Sequence, residues 1–194
     1  MRKLFTTLAV CFTVFSAMAQ FPGLDKTPAD IAYYPENAAK RMFAKTVEQE
    51  KSLEPKIKVV YSRPAMLGRE IFGNLVPYGK VWRVGANEQA EITFYQNVKI
   101  GDKNVAAGTY SLFAIPNEKT WTIIINEDRD VWGAYKYNEN RDVARITVPV
   151  YPTQSEIENF SIQMVEKGAN KAHINFGWAN TFVEVPVEFR NSFW

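Results

Sequence analysis

The sequence predicts an all-β fold beyond Pro55: an antiparallel β-sandwich, with a jelly-roll-like or barrel-like form as the alternative, preceded by one amphipathic helix. Three observations lead there. From Glu91 to Ile100 the chain alternates strictly, with Ile92, Phe94, Val98 and Ile100 on one face and Glu91, Thr93, Tyr95, Asn97 and Lys99 on the other. Short runs of the same kind recur at even spacing, separated by turn clusters such as Gly101-Asp102-Lys103-Asn104 and Pro116-Asn117-Glu118-Lys119. The stretch "WTIII", residues 121–125, is continuously apolar and reads as a central strand covered on both faces.

Taken in order, residues 1–19 read as a signal peptide. Arg2 and Lys3 form a positive start, Leu4 to Met18 is apolar, and Ala17-Met18-Ala19 fits a small-residue cleavage site. The run is short for a membrane span, and no later stretch reaches the roughly 18 apolar residues that a spanning helix needs. The protein is therefore expected to be exported, periplasmic or secreted, and without an integral membrane segment once cleaved. Cys11 invites a lipid-anchor reading, but the preceding Leu8-Ala9-Val10 ends in valine where a small residue is needed.

Cleavage would remove Arg2, Lys3 and the single cysteine, so the 23 basic residues fall to 21, equal to the 21 acidic ones. A balanced charge gives no electrostatic case for nucleic acid. The chain is long enough to bury a core without disulfides.

Residues 20–55 form a Pro-punctuated N-terminal segment. Within it, Ala39, Met42, Phe43 and Val47 fall at helical spacing between Asn37 and Lys51, which predicts a helix over about 37–51 packed on the edge of the main body. Residues 56–194 read as a single β domain. After Glu91–Ile100, strands are expected at Gly108–Ile115, Trp121–Asn126, Val143–Val150, Phe160–Val165, Lys171–Trp178 and Phe182–Phe189.

Four motifs, Y-S-R-P at 61–64, G-K-V-W-R-V-G-A-N-E at 79–88, A-G-T-Y-S-L-F at 107–113 and W-G-A-Y at 132–135, closely resemble those of a family of exported bacterial proteins described only as a domain of unknown function, of the DUF2911 type. The resemblance is dense over residues 57–150 and looser beyond. It implies an all-β body and carries no substrate or catalytic residue.

Chemistry must then come from the residues. The sole histidine, His173, lies on the strand face opposite Ala172, Ile174, Phe176 and Trp178, so a histidine-dependent nucleophile system has one residue to draw on. No phosphate loop, nucleophile elbow or zinc-binding pair of histidines is present. Asn126, Asp128 and Asp130 open like a calcium loop, yet Val131 stands where glycine is expected and Tyr137 where the bidentate glutamate belongs. A charged hairpin turn is the simpler account, and no metal or cofactor is predicted.

The richest cluster is Trp82, Arg83, Asn87 and Glu88, to which Arg63, Trp132 and Tyr135 can be added. One reading is a clasp: Arg83 and Glu88 form a bidentate pair, Gly85 turns the chain and Asn87 bonds neighbouring backbone. The other is a ligand site, with Trp82 or Trp132 as stacking platform and Arg83, Asn87 and Glu88 orienting a small molecule or glycan. Non-catalytic binding is the leading functional expectation. The alternatives are a carboxylate-dependent hydrolase, with Glu88 as base and Arg83 as electrostatic stabiliser, and a structural or assembly protein of the cell envelope.

Overall fold

The computed structural model describes residues 23–190; the predicted signal peptide and Cys11 lie outside them. Among the described residues nine strands run as β1 (Ala29–Tyr34), β2 (Ile57–Ser62), β3 (Ala90–Phe94), β4 (Val98–Ile100), β5 (Lys103–Val105), β6 (Gly108–Pro116), β7 (Thr120–Asn126), β8 (Asp142–Glu166) and β9 (Lys171–Phe189). All neighbours are antiparallel, in the order β1-β2-β3-β6-β7-β8-β9-β4-β5, and the sheet is open. The all-β prediction holds. No helix among the described residues is long and apolar enough to cross a membrane.

Two long strands fold this sheet over itself. From Thr147 to Pro149 and before, β8 pairs with β7, whereas from Val150 to Glu166 it pairs with β9, with irregularities at Pro152/Ile157 and Ile157/Ser161. Such bulges bend a strand and increase its twist. Each of the two strands was expected as a pair of shorter ones, because the polar stretches 151–159 and 179–181 resemble turns. The bend brings the ends together: Tyr34 of β1 stacks on Phe189 of β9 with centroids 5.4 Å apart, and the Tyr61 hydroxyl accepts the Ile162 N–H at 3.0 Å.

The alternating stretch 91–100 also divides. Residues 90–94 pair with β2 and β6, and residues 98–100 with β5 and β9, so the chain changes partners at Tyr95-Gln96-Asn97. Ile92, Phe94, Val98 and Ile100 nevertheless all stay buried, because the bend preserves the phase of the alternation. The "WTIII" run lies in β7, between β6 and β8, with Trp121 and Ile123 to Ile125 all buried. Each fully buried large side chain of this single core contributes roughly 1.5–3 kcal/mol.

The N-terminal segment supplies β1, which its composition did not announce. Its helical stretch is split into a 3-10 turn (Ala38–Phe43) and a short helix α1 (Val47–Ser52), with Ala44 extended between them. Thr46 restarts the helix by accepting the Gln49 N–H at 3.1 Å. The break turns the apolar stripe outward, leaving Met42, Phe43 and Val47 at 77%, 74% and 74% exposure.

Candidate functional site

The 79–90 segment is a turn strapped across the sheet. Trp82 exchanges both backbone hydrogen bonds with Ala114 of β6, at 2.7 and 3.0 Å, and the Ala90 N–H closes the turn on the Arg83 carbonyl at 2.9 Å. Between them Val84 and Asn87 adopt positive φ, 56° and 61°. Asparagine tolerates that region; for a β-branched residue it is a true outlier and costs on the order of 1–3 kcal/mol. Gly85, at φ 150°, lies against the backbone of Ser62: an added Cβ would stand 3.0 Å from the Ser62 carbonyl oxygen. Two motifs far apart in sequence, Y-S-R-P and G-K-V-W-R-V-G-A-N-E, thereby meet at one contact. Gly85→Ala is expected to lower stability by about 2–3 kcal/mol through strain and collision. An unchanged urea midpoint would show that the turn can shift to accept a side chain.

Trp82 belongs to the core. Its ring, 8% exposed, stacks on Trp178 at 6.0 Å, meets Phe72, Trp121 and Phe160 edge-on, and its indole N–H donates to the Gly85 carbonyl at 3.2 Å. Only its rim faces outward, as the floor of a cleft.

Arg83 and Glu88 do not pair. Arg83 donates from Nη1 to the Asn87 carbonyl at 3.0 Å and lies 5.7 Å from the centre of the Tyr135 ring. Glu88 is exposed and bridges through its backbone to Trp132. The left-handed residue Asn87 explains this, because it turns the Asn87 carbonyl, rather than the Glu88 carboxylate, toward the guanidinium. Asn87 itself donates to Asp25 at 3.2 Å and Thr27 at 3.0 Å, tying the N-terminal strap over the turn. The hydrogen bonds from Thr27 hold the Asp25 carboxyl below its ordinary value.

The clasp role falls instead to Arg63. It bonds Asp30 of β1 at 2.9 Å, and the Phe160 carbonyl and Ser161 hydroxyl of β8 at 3.1 and 2.8 Å. It fastens the open edge of the sheet to the bent strand.

Two cavities adjoin at the turn, one of about 210 Å³ and one of about 290 Å³, sharing Leu75, Val76, Trp82 and Arg83. Lys80 and Tyr135 are among the others that line the first, and Thr27, Pro64, Arg69, Ala86, Asn87 and Trp178 among those that line the second. Of the residues singled out from sequence, the fold thus brings Trp82, Arg83, Asn87 and Tyr135 together. Arg63, Glu88 and Trp132 line neither lobe, and Trp132 is 59% exposed.

The loop bearing Trp132 and Tyr135 is held by a network that the sequence analysis missed. Asp142 accepts from Asn126 at 2.7 Å, from the Tyr137 hydroxyl at 2.5 Å and from Arg145 Nε at 2.5 Å. Asn126 also donates to the Asn138 carbonyl at 2.9 Å, and the Ser111 hydroxyl bonds the Asp128 carbonyl. The one signal in the sequence was an asparagine ending the apolar run "WTIIIN". The calcium-like string serves the same loop: the Asn126 side-chain oxygen accepts the Asp128 N–H at 2.8 Å, and Arg141 pairs with both Glu127 and Asp128. Among the described residues no three His, Cys, Asp or Glu side chains gather to hold a metal ion. His173 contacts Glu184 at 3.2 Å and lines neither lobe.

No curated protein and no solved structure is significantly similar to this chain. A family model described as "Protein of unknown function (DUF2911)" matches residues 43–187, which include the 79–90 turn, the loop bearing Trp132 and Tyr135, and every strand from β2 to β8. With well over half of its length matched, the chain belongs to that family.

Proposed function

We propose that this is an exported, non-catalytic binding protein that takes a small organic molecule into the two-lobed cleft at the 79–90 turn. The observation that carries the reading is that two cavities meet over Trp82 and Arg83. Together they approach the size of small-molecule sites, about 300–1,000 Å³, and they combine an apolar floor with a few polar groups. The strained Val84, in the turn that carries Arg83 and Asn87 into the cleft, adds support, since such strain concentrates at functional sites. Export rests on the signal-peptide pattern of residues 1–19. A carboxylate-dependent hydrolase would need carboxylates in the cleft, and among the described residues none lines either lobe.

A thermal-shift screen tests the reading, run with neutral, anionic, cationic and sugar ligands on the wild type and on Ala86→Trp, which fills the second lobe. A ligand at a hundred times its Kd adds about 2.7 kcal/mol, a rise in Tm of about 5–10 °C for a chain of this size. The variant should lose that rise. Equal shifts in both proteins, or none across the screen, overturn the assignment.

A further inference from the structure

Resting on that reading, we infer that the cleft takes a small organic monoanion, a carboxylate on an apolar body, with Arg83 as its counter-charge.

Four other arginines are paired with carboxylates, Arg63 with Asp30, Arg141 with Glu127 and Asp128, Arg145 with Asp142 and Arg190 with Glu188, and those that are not, Arg41, Arg69 and Arg129, are exposed to water. Arg83 is half-buried, and among the described residues no carboxylate lies within ion-pair distance of it. Its partners are the Asn87 carbonyl and the face of Tyr135. Partial burial of a cation costs free energy that neither partner fully offsets, and an anion arriving from solvent would supply the missing charge. With Nη1 committed, the Nε and Nη2 edge of the guanidinium is left for the two oxygens of a carboxylate, the geometry that the arginine fork matches.

The rest of the cleft agrees in sign and polarity. Lys80 on the first lobe and Arg69 on the second are cationic, and Arg69 holds only the Ala65 and Met66 carbonyls. The nearest carboxylate of the strap, Asp25, is bonded to Thr27 and Asn87. Val76, Pro64, Trp82 and Trp178 offer the apolar wall for the body of the ligand. A sugar fits less well: its stacking platform would have to be Trp82, whose face is covered by Trp178, while the exposed Trp132 stands outside both lobes.

Calorimetric titration with four probes of one shape tests this: 4-phenylbutanoate, 4-phenylbutanamide, 4-phenylbutylamine and 3-phenylpropyl phosphate. Hydrogen bonds to a charged group predict that the carboxylate binds about tenfold to a hundredfold more tightly than the amide. The amine should be weakest, and added salt should shrink the gap. Arg83→Met should bring the carboxylate down to the level of the amide, and Arg83→Lys should restore part of the difference. Should either variant fail to fold, the wild-type ranking and its salt dependence decide alone. Equal binding of carboxylate and amide, or a preference for the amine, overturns the inference and leaves the binding cleft standing. A preference for the phosphate overturns the carboxylate assignment alone. No heat from any probe, with no hit in the thermal screen, overturns both.

Discussion

Trp82→Ala is expected to cost about 4 kcal/mol of stability, whereas Trp132→Ala should change it by less than about 0.5 kcal/mol. Both tryptophans stand near glycines outside the regular strand patterns, and by sequence they look alike as binding platforms. Their environments differ. Trp82 sits at the centre of Phe72, Trp121, Phe160 and Trp178, so truncation removes aromatic contacts on several sides and opens a cavity beneath the cleft. Trp132 is mostly in water. Urea denaturation of the two variants measures the contrast directly. Similar small losses in both would mean that the Trp82 cluster is loosely packed and that the cleft has no fixed floor.

The second large effect belongs to Asp142, whose side chain is 9% exposed and accepts hydrogen bonds from three residues. Asp142→Ala strands an amide proton of the fully buried Asn126 and the Tyr137 hydroxyl, and removes the nearer of the two carboxylates that face Arg145, leaving the exposed Glu139 at 3.7 Å. Losing one side of a buried pair costs about 3–5 kcal/mol, but Arg145 is over a third exposed and water replaces part of its loss, so about 3 kcal/mol is expected. Asp142→Asn keeps an acceptor and should cost less. The 127–141 loop should also become more open to trypsin at Arg129 and Lys136, both exposed. A stable Asp142→Ala protein with an uncleaved loop would sink the idea that this network holds the loop.

The same network predicts an alkaline response. Burial, reinforced by the hydrogen bond to Asp142, pushes the Tyr137 phenol up from 10.0 to about 12. The folded state therefore keeps a proton that the unfolded chain loses, and the resulting stability is full below pH 10 and is lost as pH rises through 12. Urea midpoints between pH 9 and pH 12 should fall less steeply in Tyr137→Phe than in the wild type. Since Tyr34, Tyr61, Tyr78 and Tyr110 are also raised by burial, only the difference between the two proteins reports Tyr137.

The candidate site was legible in part. Trp82, Arg83 and Asn87 were visible as a crowded group because turn-forming Gly85 and Asn87 stand beside large and charged residues within one short stretch. The pairing of Arg83 with Glu88 was a reasonable use of opposite charges at close spacing. It fails because one residue at positive φ redirects everything after it, and no charge count reveals a φ angle. Arg69, Pro64 and Trp178 come from other parts of the chain and reach the cleft only through the fold. The Asn126–Asp142 network escaped for a similar reason, since its members are sixteen positions apart across a loop.

By itself the sequence determined the all-β class, the phase of the alternation from Glu91 to Ile100 and the central place of "WTIII", because alternation and apolar runs are local consequences of which face is buried. Only the tertiary structure decided where strands change partners, that β8 runs from β7 across to β9 as one bent strand, that the apolar stripe of residues 39–47 faces solvent, and which half-buried arginine is left without a counter-charge. Those outcomes depend on distances between residues remote in sequence, set by the packing of one shared core, and a local pattern holds no information about them.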